Sequence, residues 1–199
     1  MTGSAPAVGG LLLFPGAGTG CDHPSLVAIE RAMAALPGPA GGSLPVARAD
    51  FPYRREGRRA PDRPPKLIAC VRAEAAALAA SAGIDPAAVA LGGRSMGGRM
   101  CSMAVAEGLP AAALVLIAYP LHPPGRADRL RVDHFPAIEV PCLFVSGTRD
   151  PFGTPDELSA HTAAIAGPVT HVWVEGARHE LKGADEQVAT TVRDWLADL

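Results

Sequence analysis

The sequence contains few aromatic and few charged residues. Of its 199 residues, 5% are aromatic and 19% are charged, whereas 48% are hydrophobic. So much apolar and so little charged material is typical of a globular chain and excludes a disordered one. The formal net charge of -2 gives no reason to expect nucleic acid or an anionic membrane as a partner. The length fits one domain with a substantial core.

Long hydrophobic runs are also missing. The longest apolar stretch, Ala111 to Ala118, is far shorter than the ~20 residues that a membrane-spanning helix needs. The N-terminus has neither the basic region nor the long apolar segment of a signal peptide. We therefore expect no membrane association. We also expect residues 1–9 to form a loose tail and residues 10–199 to form a single domain.

Cysteine is scarce, and its positions do not form pairs. The four cysteines are scattered and show neither C-x-x-C nor any Cys/His metal spacing, which predicts free thiols and no metal site. Together with the lack of a secretion signal, free thiols indicate the reducing cytoplasm. The cysteines are Cys21, Cys70, Cys101 and Cys142.

Nucleotide-binding motifs are absent as well. No G-x-x-x-x-G-K-[ST] occurs, and the glycines of 16–20 lack the third glycine of G-x-G-x-x-G, because position 21 is Cys21. We therefore expect no cofactor.

Apolar strand-like segments alternate with helical segments along the whole chain. This alternation predicts an α/β fold with a mainly parallel six-stranded sheet covered by helices on both faces. There are no internal repeats, and the length leaves no room for a large cap domain. The predicted strands are 10–14, 46–51, 88–92, 111–118, 141–146 and 169–174, and the predicted helices are 24–36, 64–82, 97–108, 155–166 and 184–198.

The segment Gly93-Arg94-Ser95-Met96-Gly97 lies between a buried-type strand and a helix. Strand, G-x-S-x-G and helix form the nucleophile elbow of an α/β-hydrolase. The turn is so sharp that a side chain at either glycine position would collide with a neighbouring element. The helix N-terminus then points at the serine, where negative charge would develop during a reaction. Ser95 is therefore the candidate nucleophile.

A nucleophilic serine needs a base and an acid that orients the base, and in this fold the chain order is Ser, Asp or Glu, then His. Asp150 follows strand 141–146, and His179 follows strand 169–174. Both therefore belong to the sheet edge where Ser95 lies, at which open α/β sheets bind ligands.

Other acids and histidines fit these roles less well. Asp156 and Glu157 suit the first turn of the helix near Pro155, and Glu180 stays open as a substitute acid. His171 alternates with apolar residues inside a strand, and none of the other histidines occupies the last strand–helix loop. These are His23, His122, His134 and His161.

Backbone N–H groups of two residues are expected to form an oxyanion hole. One belongs to Met96, the residue after the serine, and the other to Ala17, in the loop after the first strand.

Four further residues are candidates for the substrate pocket. Tyr119, Leu121 and Phe152 follow strands at the catalytic edge, and each is equally consistent with a core position. Arg94 would either attract an acidic substrate group or pair with a nearby carboxylate. The arginine-rich segment 53–65 is either a solvated loop or a rim over the site.

Several segments together resemble the KANL/Tex-like branch of the α/β-hydrolases, which contains the testis-expressed Tex protein, a subunit of the nonspecific-lethal chromatin complex and many small bacterial proteins. The resemblance covers roughly residues 8–197 and supports Ser95, Asp150 and His179 as a triad by position. One departure is Phe14-Pro15-Gly16, where many hydrolases have His-Gly. The segments that carry the resemblance are 12–18, 92–99, 118–124 and 143–150.

The sequence therefore predicts a cytoplasmic serine hydrolase that cleaves a small ester, or a thioester or amide, without metal or cofactor. The alternative is a catalytically silent binding or scaffold protein on the same fold. A transferase or lyase would use the same three residues and differ only in what attacks the acyl-enzyme. The sequence does not predict an oligomeric state.

Overall fold

A six-stranded sheet in which all neighbouring strands are parallel forms the centre of the protein. The computed structural model describes residues 7–199. The strand order is β2-β1-β3-β4-β5-β6. The strands are β1 (Gly10–Phe14), β2 (Val46–Arg48), β3 (Val89–Arg94), β4 (Ala113–Ile117), β5 (Cys142–Gly147) and β6 (Val169–Val174).

Six α-helices connect or follow the strands. They are α1 (Pro24–Met33), α2 (Pro52–Arg55), α3 (Pro64–Ala82), α4 (Met96–Ala106), α5 (Pro155–Thr162) and α6 (Asp185–Ala197), with short 3-10 helices at Pro86–Ala88 and Phe135–Ala137. The predicted α/β fold, with a six-stranded parallel sheet, helices on both faces and no large cap among residues 7–199, is confirmed.

Alternating side chains of the strands supply two hydrophobic cores, one on each face of the sheet. Leu12 and Phe14 of β1 pack in the core covered by α3 and α4, whereas Leu11 and Leu13 pack in the core covered by α1 and α6. Because successive side chains of a strand point to opposite faces, both faces are apolar and the strands form nearly continuous apolar runs.

Most differences from the predicted elements are at their ends. The last residues of predicted helix 24–36 form single turns after Met33, because Pro37 disfavours helical backbone at Leu36. The predicted strand 46–51 ends at Arg48, and the short helix α2, which the sequence did not predict, follows it. Pro52 at the first position of α2 is a typical helix start.

The end of the N-terminal segment bonds to the domain, and the cysteines are unpaired. Residues 1–6 of the expected tail lie outside the described residues, whereas Gly9 donates a hydrogen bond to Ala88 O at 2.8 Å. All four cysteines are free thiols as predicted, and burial raises the pKa of Cys142 to about 12.

Candidate active site

Ser95 occupies a strained turn between β3 and α4. Its backbone has φ 50° and ψ -113°, a left-handed conformation that non-glycine residues rarely adopt. The Ser95 N–H donates to Ile117 O at 2.8 Å, which ties the turn to β4. A Cβ at Gly93 or Gly97 would overlap the carbonyl oxygen of Phe14. Glycine is therefore required on both sides of the serine, because β1 packs directly against the turn.

His179 and Asp150 lie next to this serine. His179 Nε2 and Ser95 Oγ are 2.9 Å apart, and His179 Nδ1 lies 2.8 Å from Asp150 Oδ2 and 3.1 Å from Oδ1. Asp150 is 2% exposed, and its Oδ1 also accepts the Phe152 N–H at 2.8 Å. The loops after β3, β5 and β6 thus bring the three side chains together, although they are far apart in sequence.

The remaining candidate acids have other surroundings. Glu157 forms a capping box with Thr154 at the start of α5, which is the structural role expected for it. Glu180 is exposed and lines the cleft beside Ser95. Asp150, rather than Glu157 or Glu180, therefore lies within hydrogen-bonding distance of His179.

Three of the other histidines have structural contacts. His171 Nε2 lies 2.9 Å from Thr162 Oγ1, and its ring stacks on Trp173. His23 accepts the Ser25 N–H at the start of α1. His134 Nε2 lies 2.8 Å from Ser102 Oγ.

A cleft of about 300 Å³ opens beside Ser95. It lies between the loops that follow β1 and β3, where the chain turns to opposite faces of the sheet, and such switch points are the usual ligand sites of open α/β sheets. Met96 is the first residue of α4, so its N–H is not used inside the helix. The cleft is lined by Gly16, Ala17, Gly18, Thr19, His23, Arg94, Ser95, His179 and Glu180.

A family model described as an alpha/beta hydrolase domain matches residues 8–197. The chain belongs to the α/β hydrolase family.

Solved structures share the fold at low sequence identity. Est1E from Butyrivibrio proteoclasticus is 14% identical, with 99% of this chain and 90% of that chain covered and a TM-score of 0.74. A dienelactone hydrolase from Anabaena variabilis is 20% identical, with 96% and 87% covered and a TM-score of 0.71. An alpha-beta serine hydrolase homologue from Coxiella burnetii is 18% identical, with 97% and 86% covered and a TM-score of 0.69.

Arg94 of this α/β hydrolase has contacts that the sequence did not predict. Its guanidinium Nη2 donates to the carbonyl oxygen of His179 at 2.8 Å, and Nη1 lies 3.5 Å from Ser25 Oγ. Burial lowers the pKa of Arg94, although nearby carboxylates oppose that effect. Arg94 lines the cleft, but its short hydrogen bond is to the backbone of the histidine loop rather than to a carboxylate.

Two of the expected pocket residues lie in the core of the α/β hydrolase domain. Tyr119 is 1% exposed, and its hydroxyl donates to Arg131 O at 2.8 Å. Leu121 is fully buried beside Gly153 and Leu158. Of the two alternatives left open for these residues, the structure supports the core position, because packing against the loops after β4 and β5 removes both side chains from solvent.

Phe152, the third of these expected pocket residues, contacts the site through His179. Its ring stacks on the His179 imidazole with the ring centroids 4.0 Å apart. This contact restricts the rotation of His179 and covers one face of its ring.

The sequence did not predict that Tyr53 contacts the loop after β1. Tyr53 is fully buried, and its hydroxyl donates to Ala17 O at 2.8 Å. The arginine-rich segment that contains it is partly helical, and Arg58 pairs with Glu56 and Asp62 on its surface. Pro52 before the tyrosine was the available signal of a helix start.

The described part of the chain offers neither a cluster of metal ligands nor a membrane-spanning helix. Between residues 7 and 199, no group of three or more His, Cys, Asp or Glu side chains is arranged to hold a metal ion. None of the helices in that range is long and apolar enough to span a membrane.

Proposed function

We propose that this α/β hydrolase is a serine esterase that works through an acyl-enzyme. Ser95 Oγ attacks the carbonyl carbon of a small ester while His179 Nε2 takes the hydroxyl proton. Asp150 accepts the Nδ1–H of His179, which fixes the imidazole tautomer and stabilises the imidazolium. His179 then gives the proton to the departing alcohol, and the serine ester remains.

Water completes the reaction in the same geometry. His179 removes a proton from the water as the oxygen attacks the acyl carbon, and it returns that proton to Ser95 Oγ. The N–H groups of Ala17 and Met96 hold the negative oxygen in both tetrahedral intermediates. None of these steps needs a metal or a cofactor.

The observation that carries the proposal is the unbroken series of short contacts from serine to acid. The Ser95–His179 distance is 2.9 Å and the shortest His179–Asp150 distance is 2.8 Å, which are hydrogen-bonding distances suited to proton transfer. We further propose membership of the KANL/Tex-like branch, on the motifs named above. We also propose a cytoplasmic location, for which the free thiols are the support.

The size of the cleft favours short acyl groups. A volume of about 300 Å³ is at the lower end of small-molecule sites. We expect kcat/KM for p-nitrophenyl esters to be highest for acetate or butyrate and to decrease towards octanoate. A clear maximum at octanoate would contradict this size limit.

Labelling with a fluorophosphonate probe tests whether Ser95 is activated. We expect the native protein to be labelled and both Ser95→Ala and His179→Ala to lose labelling. The reason is that the probe reacts with the serine hydroxyl and needs the base that activates it. Ester hydrolysis should fall by at least about 1000-fold in either variant.

Two variants serve as matched controls for this experiment. Ser159→Ala and His161→Ala remove the same side chains from α5, away from the cleft, and should leave labelling unchanged. Folded native protein that is not labelled would contradict the esterase proposal and favour a silent binding protein on the hydrolase fold.

A further inference from the structure

The loop after β1 has a defined orientation relative to Ser95. Gly16 O accepts two hydrogen bonds from Thr19, one from its N–H at 3.3 Å and one from its hydroxyl at 3.4 Å. Since the Gly16–Ala17 peptide is trans, its N–H points opposite to its carbonyl, so the Ala17 N–H is directed away from Thr19. A Cβ at Gly16 would lie 3.7 Å from Ser95 Cβ, which shows that the loop packs directly beside the serine.

A buried tyrosine holds the next peptide of this loop. The Tyr53 hydroxyl donates to Ala17 O at 2.8 Å. Its ring stacks on Phe51 with centroids 6.5 Å apart, and Phe51 stacks on Phe14 at 4.6 Å. Burial raises the pKa of Tyr53, so the hydroxyl keeps its proton and remains a donor at neutral pH. The aromatic stack thus fixes the tyrosine relative to the end of β1.

We propose that Tyr53 and Thr19 are positioning residues that hold the loop 15–20 with the Ala17 N–H turned towards the reacting carbonyl. The inference rests on the proposed esterase function. Two hydroxyls fix two consecutive peptides, and neither hydroxyl has to touch the substrate. An N–H that is held in place before the reaction stabilises the developing oxyanion without reorganisation.

Tyr53→Phe is the direct test, and Tyr119→Phe is its matched control. Both hydroxyls are buried and both donate to a backbone oxygen at 2.8 Å, but Tyr119 bonds Arg131 O in the core rather than the loop after β1. We expect Tyr53→Phe to lower kcat for p-nitrophenyl acetate about 10-fold with KM unchanged, because an oxyanion donor acts in the transition state. Labelling by the fluorophosphonate should slow by a similar factor.

The control should lose stability without losing catalysis. Both variants should lower Tm by about 2–4 °C, as expected for one buried hydrogen bond in a chain of this size. Tyr119→Phe should keep kcat within about 2-fold of the native value. Thr19→Val should lower kcat by about 3-fold, again with KM unchanged, since its bond to Gly16 O is longer.

Several results would overturn the inference. One is a kcat loss in Tyr53→Phe no larger than in Tyr119→Phe, and another is a change in KM alone. A shift in the acidic limb of the pH profile of kcat/KM would place the defect in His179 instead. If Tyr53→Phe did not fold, an unchanged kcat in Thr19→Val would decide against the proposal. Native protein that the probe does not label contradicts the esterase function itself, which separates the two failures.

Discussion

At the scale of single residues, Arg94 joins the serine turn to the histidine loop. Replacing it by methionine removes the 2.8 Å hydrogen bond to His179 O. We expect kcat for p-nitrophenyl acetate to fall about 10-fold or more, because the proposed base His179 loses an anchor and small displacements of catalytic groups slow reactions strongly. The free energy of unfolding should decrease by less than about 2 kcal/mol, since removing a buried cation also removes its desolvation cost.

Arg149→Met is the matched control for Arg94→Met. Arg149 lies beside Asp150 at the same edge of the sheet, but its side chain is exposed. The control should retain native kcat and a native unfolding midpoint in urea. If both variants lost activity equally, overall charge at this edge would matter rather than the hydrogen bond to His179.

At the scale of elements, the β3–turn–α4 unit depends on close contact with β1. Gly93 has φ +152°, and a Cβ there would overlap Phe14 O. Gly93→Ala should therefore lower the free energy of unfolding by about 3 kcal/mol or more, because backbone rather than a flexible side chain would have to move. Urea denaturation followed by circular dichroism measures this loss.

Gly108→Ala separates the effect of close contact from that of backbone strain. Gly108 also has a positive φ, +88°, but a Cβ there would have no neighbour within 4 Å. Only the conformational strain remains, which costs about 1 kcal/mol. Equal losses in the free energy of unfolding would show that contact with β1 is not the reason why position 93 requires glycine.

At the scale of the whole molecule, half-buried histidines should weaken the fold in acid. Burial, followed by the charge of Arg99, lowers the pKa of His134 to about 4, and burial also lowers the pKa of His23 and His171. Because an unfolded histidine has a pKa of about 6.5, the unfolded chain binds protons first as the pH falls. The free energy of unfolding should therefore decrease between about pH 6.5 and pH 4, by at most about 1.4 kcal/mol per pH unit for each histidine.

His134→Gln tests this contribution. Urea denaturation at several values between about pH 7 and pH 4 should give a shallower loss of stability for the variant than for the native protein, because glutamine does not titrate. Identical slopes would show that His134 does not contribute to the acid sensitivity.

Local patterns in the sequence determined the fold class. The strands required apolar runs, which are visible in the sequence, and the glycines around Ser95 predicted a sharp turn. The chain order of Ser95, Asp150 and His179 predicted that they would meet, since the carboxyl ends of parallel strands share one edge. The structure brings the three together, and their catalytic role stays a prediction that labelling tests.

Contacts between distant residues were decided only by the tertiary structure. Tyr119 and Leu121 follow a strand at the catalytic edge, but packing against neighbouring loops places them in the core. Tyr53 bonds a residue 36 positions away, and Arg94 bonds one 85 positions away. Periodicity and turn signals extend over a few residues, whereas the partner of a buried polar group depends on which elements pack together. The sequence therefore determined the candidate reacting side chains, and the packing of the sheet edge decided what holds them in place.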